Sequence, residues 1–238
     1  MRSVARAQSA NGLIPWIEWT ERMICGVDEA GRGPVLGPMV IAAVMIEDDS
    51  ALREMGVKDS KKLTPAARER LATKIEGLSV IERRIVPAEE IDEAMRRMTL
   101  NEFEARVFAS LLDRLRPDIA YVDAADVDEN RFKLMIRRRL DFAPEFVCCH
   151  KADELYPVVS AASIVAKVCR DAEILKIENE MHEPVGSGYA SDPKTIAFLE
   201  RWTRERGDLP PHTRRSWIPA KKAKVMAQNS KLYEWSGP

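Results

Sequence analysis

The sequence predicts an α/β domain with a mixed central sheet flanked by helices, followed by a helical C-terminal part that begins past residue 180. Apolar runs of strand length come early and then alternate with helix-length stretches, the order expected of a mixed sheet. The chain has 238 residues, 45% of them apolar and 32% charged, enough for one large core and a solvated exterior. Proline, glycine and Ser/Thr punctuate the runs where helices should start and stop.

Met23–Val27 and Val35–Ile46 read as two buried strands around a Gly-rich turn, and Leu78–Val86 as a third with alternating character. Thr64 followed by Pro65 opens a helix that Gly77 closes. Pro87–Arg97 and Leu100–Leu115 read as helices, Ile119–Val122 as a short strand, Glu129–Leu140 as a helix and Phe146–Cys149 as the last strand. Three helices follow, Pro157–Glu180, Pro193–Glu205 and a short basic Pro219–Met226. This gives an N-terminal extension over 1–22, a main domain over 23–180 and a helical, basic region over 181–238.

Composition excludes several classes. The longest nearly unbroken apolar run, Val35–Ile46, has twelve residues, short of the ~20 that a bilayer helix requires. No apolar stretch of signal-peptide type opens the chain, so a cytoplasmic protein is expected. Cys25, Cys148, Cys149 and Cys169 show neither CxxC nor Cys/His ligand spacing and read as reduced core residues. The net charge of −1 conceals a basic tail: residues 201–238 carry nine Lys or Arg against three Asp or Glu. Arg214, Arg215, Lys221, Lys222 and Lys224 are expected to track the phosphates of a duplex.

Acidic residues stand at the ends of three apolar strands: Asp28 and Glu29, Asp123, and Asp153 four residues past Cys149. Such positions lie at the sheet edge where α/β folds place their sites. Clustered carboxylates repel one another unless cations neutralise them, which points to hard divalent metals, magnesium or manganese. Adjacent strand residues face opposite sides, so the first strand should end or twist at Asp28–Glu29. Gly31, Arg32 and Gly33 supply the break and set a guanidinium beside a close-approach backbone. Ser160, Ser163, Lys167 and Asp171 form one polar stripe on the long helix, either its solvent face or a face turned toward the metal site. Lys61 and Lys62 lie in a loop, and Tyr189 in a flexible turn suited to stacking on a sugar or base. The three histidines have no spacing that makes a triad.

These residues resemble the type 2 ribonucleases H, and are most similar to the archaeal- and eukaryotic-type ribonuclease HII branch. The matching segments are GVDEAGRGPVLGPMVIAAV from Gly26, VKDSKKLTPAARERL from Val57, YVDAAD from Tyr121, HKADELYPVVSAASIVAKVCRD from His150 and GSGYASDP from Gly186, in the family's order. The resemblance implies a ribonuclease H-like fold and hydrolysis of the RNA strand of RNA/DNA hybrids. It also implies incision 5′ to ribonucleotides embedded in duplex DNA, by a two-metal mechanism that leaves 5′-phosphate and 3′-hydroxyl ends. It puts the metal-binding, catalytic acids on Asp28, Glu29, Asp123 and Asp153. Substrate contacts fall on Gly31, Arg32, Gly33, Lys61 and Tyr189, with Lys167 and Asp171 as auxiliaries. Asn229, Leu232 and Trp235 have the spacing of a sliding-clamp-binding tail, although Asn replaces the usual Gln and Ser236 the second aromatic, and a frayed terminus is the alternative reading. A monomer is expected.

From the residues alone, two other readings stay open: a metal-dependent phosphatase on a small substrate, and a catalytically silent hybrid-binding module. The basic tail and the lack of a Gly-rich nucleotide loop tell against the first; four intact acids tell against the second.

Overall fold

The computed structural model describes residues 8–9, 12–13, 22–58 and 63–235, with side chains over 22–58 and 63–228. Most of the expected 1–22 extension, the loop lysine Lys61, and the side chains of Asn229, Leu232, Trp235 and Ser236 lie outside the described residues.

A short antiparallel ribbon of β1 (Gln8–Ser9) and β2 (Gly12–Leu13) precedes the main elements. These are β3 (Ile24–Ala30), β4 (Met39–Ile46), α1 (Ser50–Glu54), α2 (Pro65–Leu78), β5 (Val80–Val86), α3 (Ala88–Ala94), α4 (Leu100–Leu115), β6 (Ile119–Asp123), α5 (Glu129–Arg137), β7 (Glu145–Cys149), α6 (Ala152–Leu155), α7 (Pro157–Met181), α8 (Pro193–Arg206) and α9 (Ile218–Trp235). The five-stranded sheet has the order β5-β4-β3-β6-β7. Its β3–β4 pair is antiparallel, and its β3–β6 and β6–β7 pairs are parallel. The sheet is therefore mixed, as expected. Among the described residues no helix is long and apolar enough to cross a membrane.

Local chemistry explains most boundaries. The Thr64 hydroxyl accepts from Ala67 N–H to start α2, and Thr99 with Glu102 forms a reciprocal capping box on α4. Asp128 and Asp192 cap α5 and α8, and Gly207, at φ 78°, ends α8. The expected second strand starts four residues late, at Met39. The backbone of 35–37 bonds instead to 212–214: Arg214 N–H donates to Val35 O at 2.8 Å, and Gly37 N–H to His212 O at 2.9 Å. The short helices α1 and α6 escaped the periodicity, and α9 runs well past Met226.

The chain divides into two compact units. The first comprises Met1–Ala30, Val40–Arg84 and Thr99–Val168. Its core includes Val27, Ile41, Leu112, Val122 and the edge-to-face pair Phe108–Phe132, 5.5 Å between ring centres. The second comprises Gly31–Met39, Ile85–Met98 and Cys169–Pro238. Leu36, Ile174, Val185, Phe198, Leu209 and Ala220 share its apolar cluster. None of the four cysteines is in a disulfide, but only Cys25 is fully buried; the others are half-buried.

Candidate active site

In the first unit β3 and β6 run parallel and in register as far as Val27↔Val122. Asp28 and Asp123 are the next residue on each strand, at the C-terminal edge of the sheet. Of the two expected alternatives, an end or a twist, the first strand does not end there. β3 continues through Asp28↔Ala42, Glu29↔Ile41 and Ala30↔Val40, because its antiparallel partner β4 holds it after the β6 ladder stops. The Glu29 N–H donates to Asp28 Oδ1 at 2.7 Å.

Gly26 brings α7 to this edge. A Cβ on Gly26 would lie 2.3 Å from the Val158 carbonyl, so only glycine admits the first turn of the helix. The first two turns carry Ser160 and Ser163. The Ser163 hydroxyl bonds to the Asp28 carboxylate, and Ser160, 1% exposed, donates its hydroxyl to the Asp153 carbonyl. The first part of the predicted polar stripe thus faces the acids rather than solvent, while Lys167 is exposed. Asp123 Oδ1 accepts the Ala152 N–H at 2.8 Å, which ties the end of β6 to the start of α6, where Asp153 stands in the first turn.

Asp28 is 5% exposed. Burial holds its carboxyl well above the usual carboxylate range, and the charges of Glu29 and then Asp123 push it further. The hydrogen bonds from Glu29 N–H and Ser163 oppose the shift without cancelling it. Nearby, burial pushes the Cys148 thiol up to about 12. Asp28, Glu29 and Asp123 are thus one electrostatic cluster, and Asp153 follows Ala152, whose N–H bonds to Asp123 Oδ1. Among the described residues no three such side chains close into a ready-made cage. An all-oxygen donor set with one buried member fits magnesium or manganese and suits a softer metal poorly.

The second unit holds the Gly-Arg-Gly loop. Gly31 adopts φ 82°, and a Cβ there would meet Arg170 Nε at 2.3 Å and Pro38 O at 2.7 Å. Arg32 is half-buried and Gly33 exposed, with Tyr189 Cε1 3.9 Å from where a Cβ of Gly33 would lie. Gly188 O accepts the N–H groups of Val35 and Leu36, so the loop and the Tyr189 turn are laced together.

Two arginines in this unit have surroundings that the sequence does not reveal. Arg170, 3% exposed, donates Nη2 to Ser187 O at 2.8 Å, and its guanidinium lies 5.1 Å from the Tyr189 ring centre. It stands seven residues after Ser163, on the same helix face, a spacing that could have identified it. Burial lowers its pKa, and Tyr189 and Asp171 act in the opposite sense. Arg214 was expected on duplex phosphates; it is instead fully buried and donates to loop carbonyls. Arg215 is paired bidentately with Asp208 at 3.0 Å, and Lys224 lies 3.4 Å from the same carboxylate. Of the five expected phosphate contacts, only Lys221 and Lys222 are exposed with no ion pair to Asp208, because this segment turns back onto its own unit.

A family model described as Ribonuclease HII matches residues 25–220. Ribonuclease HII of Thermococcus kodakarensis is 50% identical over 218 residues, 89% of this chain and 93% of that protein. The crystal structure of ribonuclease H2 from Pyrococcus horikoshii OT3 is similar with a TM-score of 0.81 at 44% identity, covering 87% of this chain and 99% of that one. A structure of the PCNA:RNase HII complex from Archaeoglobus fulgidus gives 0.78 at 43% identity, over 82% and 95%. With a mixed sheet whose edge gathers three acids, and a family match spanning most of its length, this chain belongs to the ribonuclease HII family, metal-dependent nucleases that hydrolyse the RNA strand of RNA/DNA hybrids.

Proposed function

We propose that Asp28, Glu29, Asp123 and Asp153 are the catalytic acids and hold two divalent cations, magnesium or manganese, and that the protein also incises duplex DNA 5′ to an embedded ribonucleotide. One observation carries the assignment: Asp28 is buried, and Glu29 and Asp123 press its carboxyl toward the protonated form. A like-charged buried cluster is costly for folding alone and becomes favourable once cations enter it. When bound, such cations polarise the scissile phosphate and acidify the attacking water. The chain orients the ligand atoms: Glu29 N–H and the Ser163 hydroxyl fix the Asp28 carboxylate, and Ala152 N–H fixes that of Asp123. Buried Ser160 holds the backbone at Asp153.

Gly31, Arg32, Gly33, Tyr189 and Lys61 are assigned to the ribonucleotide and its phosphates, with Lys167 and Asp171 as auxiliaries. The 2′-hydroxyl is both donor and acceptor, and a glycine backbone beside an arginine is suited to read it. Residues 23–180 supply the catalytic part and 181–238 the duplex contacts, in a monomer located in the cytoplasm. The Archaeoglobus relative was solved in complex with PCNA, and the spacing Asn229, Leu232, Trp235 assigns clamp binding in this chain to the tail. Deleting 228–238 should abolish clamp pull-down; unchanged pull-down removes that assignment.

The central test is cleavage of two labelled duplexes, one with a single ribonucleotide and one all DNA. Each is run with magnesium, with manganese and with chelator, beside Asp123→Asn. Incision 5′ to the ribonucleotide, dependent on metal and lost in the variant, is expected. Cleavage by Asp123→Asn at the full rate sinks the site assignment, and an intact ribonucleotide duplex with either metal sinks the incision activity.

A further inference from the structure

We infer that Arg214 is a positioning residue for ribonucleotide recognition: its buried guanidinium fixes the Gly31–Gly37 loop and aims two of its backbone N–H groups. The inference rests on the reading of Gly31–Gly33 as the ribonucleotide contact and adds the device that gives that contact one conformation. Burying an arginine is costly unless its donors are all engaged, and here the arrangement is dense. Arg214 donates Nη1 to Arg32 O at 2.7 Å, Nη2 to Gly31 O at 2.5 Å and to Gly37 O at 3.1 Å, and Nε to Gly37 O at 3.2 Å. Its guanidinium lies 5.1 Å from the centre of the Trp217 ring.

Pro34 restricts the middle of the loop, but the glycines at 31, 33 and 37 have little backbone preference of their own, so their conformation must be imposed from outside. Three carbonyls converging on one planar cation impose it, and the rigid fork of arginine suits that task where a single lysine ammonium does not. The consequence follows from peptide planarity. In a trans peptide the C=O and N–H point in opposite directions. With the carbonyls of Gly31 and Arg32 drawn toward Arg214, the N–H groups of Arg32 and Gly33 are turned away from it. Tyr189 flanks Gly33. Arg214 thereby presents two adjacent donors beside the aromatic ring assigned to the sugar, without touching substrate itself.

The test reads selectivity rather than activity. In an Asp28→Asn background with magnesium, the dissociation constants of a duplex with one ribonucleotide and of the same duplex in all-DNA form give a preference ratio. Arg214→Lys, which keeps the charge but loses the fork, should reduce that ratio roughly tenfold, the worth of one or two hydrogen bonds. Trp217→Leu, which keeps the fork but removes its ring support, should reduce it by about twofold to threefold. A purely structural role would lower the fraction of binding-competent protein and leave the ratio unchanged. Wild-type ratio in either folded variant overturns the inference, and if Arg214→Lys does not fold, Trp217→Leu decides by the same criterion. A parent protein with no ribonucleotide preference overturns the reading of the loop itself, a result distinguishable from a preference that both variants retain.

Discussion

In the unit that carries Asp28, a buried charge is crowded by charges of its own sign; in the unit that carries Arg170 and Arg214, buried charges are enclosed by acceptors and rings. Asp28 has Glu29 and Asp123 for electrostatic neighbours. Arg214 has the carbonyls of Gly31, Arg32 and Gly37; Arg170 has Ser187 O on Nη2 and the Tyr189 ring, while its buried Nε has no hydrogen-bond acceptor among the described residues. Burial alone therefore does not identify function. A frustrated cluster is stabilised by a ligand of opposite charge, whereas a cation whose donor nitrogens are engaged, as those of Arg214 are, is part of the framework. Substitution in the two units should accordingly produce opposite signatures: lost chemistry with a sound fold in one, and a weakened fold or lost selectivity in the other.

The largest expected effect lies in the acidic cluster. Asp28→Asn should lower hybrid cleavage by about a thousandfold or more, while hybrid affinity changes by less than about threefold. Kinetics and binding on the same preparation decide it, and full turnover by this variant in magnesium breaks the contrast. The Gly-Arg-Gly loop should respond through stability. Gly31→Ala combines φ 82° with a Cβ placed 2.3 Å from Arg170 Nε and 2.7 Å from Pro38 O, and should cost about 3 kcal/mol or more. Gly56 shares the positive φ, at 70°, but has nothing within 4 Å of its Cβ position, so Gly56→Ala should cost about 1 kcal/mol. Urea midpoints measure both, and equal losses would mean that packing against Arg170 contributes nothing.

A pH series sharpens the same contrast. The folded chain holds the Asp28 proton to higher pH than the unfolded chain, whose carboxylate titrates near 3.9. The stability tied to this group is therefore fully present below that pH and is lost as pH rises through the raised pKa. In chelator, wild-type stability should decline over that interval more steeply than that of Asp28→Asn, and added magnesium should reduce the difference. Identical slopes in urea titrations would show that the cluster is not frustrated in the metal-free protein.

The sequence made the sheet and its acidic edge legible for a physical reason. Apolar periodicity and capping residues are local signals, and they placed α4 at its observed bounds and the ends of β6 and β7 within one residue. Partners distant in sequence were not legible. That β3 continues through Glu29 depends on β4 still pairing after β6 has stopped, which no property of residues 24–30 reveals. Arg214 reads as one more cation in a basic tail because the carbonyls that bury it lie 177 to 183 residues away. Arg170 carries a spacing signal through Ser163, but Asp171, one position on, continues the stripe of Ser160, Ser163 and Lys167 equally well.

The smallest expected effect separates basic residues that serve the fold from those left for nucleic acid. Arg215 is held by Asp208, whose carboxyl it keeps well below the usual range, so its charge is neutralised locally. Lys222 is exposed on α9. If Lys222 lies against a duplex phosphate, Lys222→Ala should reduce the slope of log affinity against log salt by roughly 0.9, and should weaken ribonucleotide and all-DNA duplexes alike. Arg215→Ala should leave that slope nearly unchanged and lower stability by about 1 kcal/mol or less, the worth of an exposed ion pair. Both follow from salt titrations of duplex binding and from urea unfolding of the two variants. A slope lost with Arg215 and kept without Lys222 would mean that the Asp208 pair opens to admit phosphate, and that this cation, unlike Arg214, belongs to the substrate rather than to the framework.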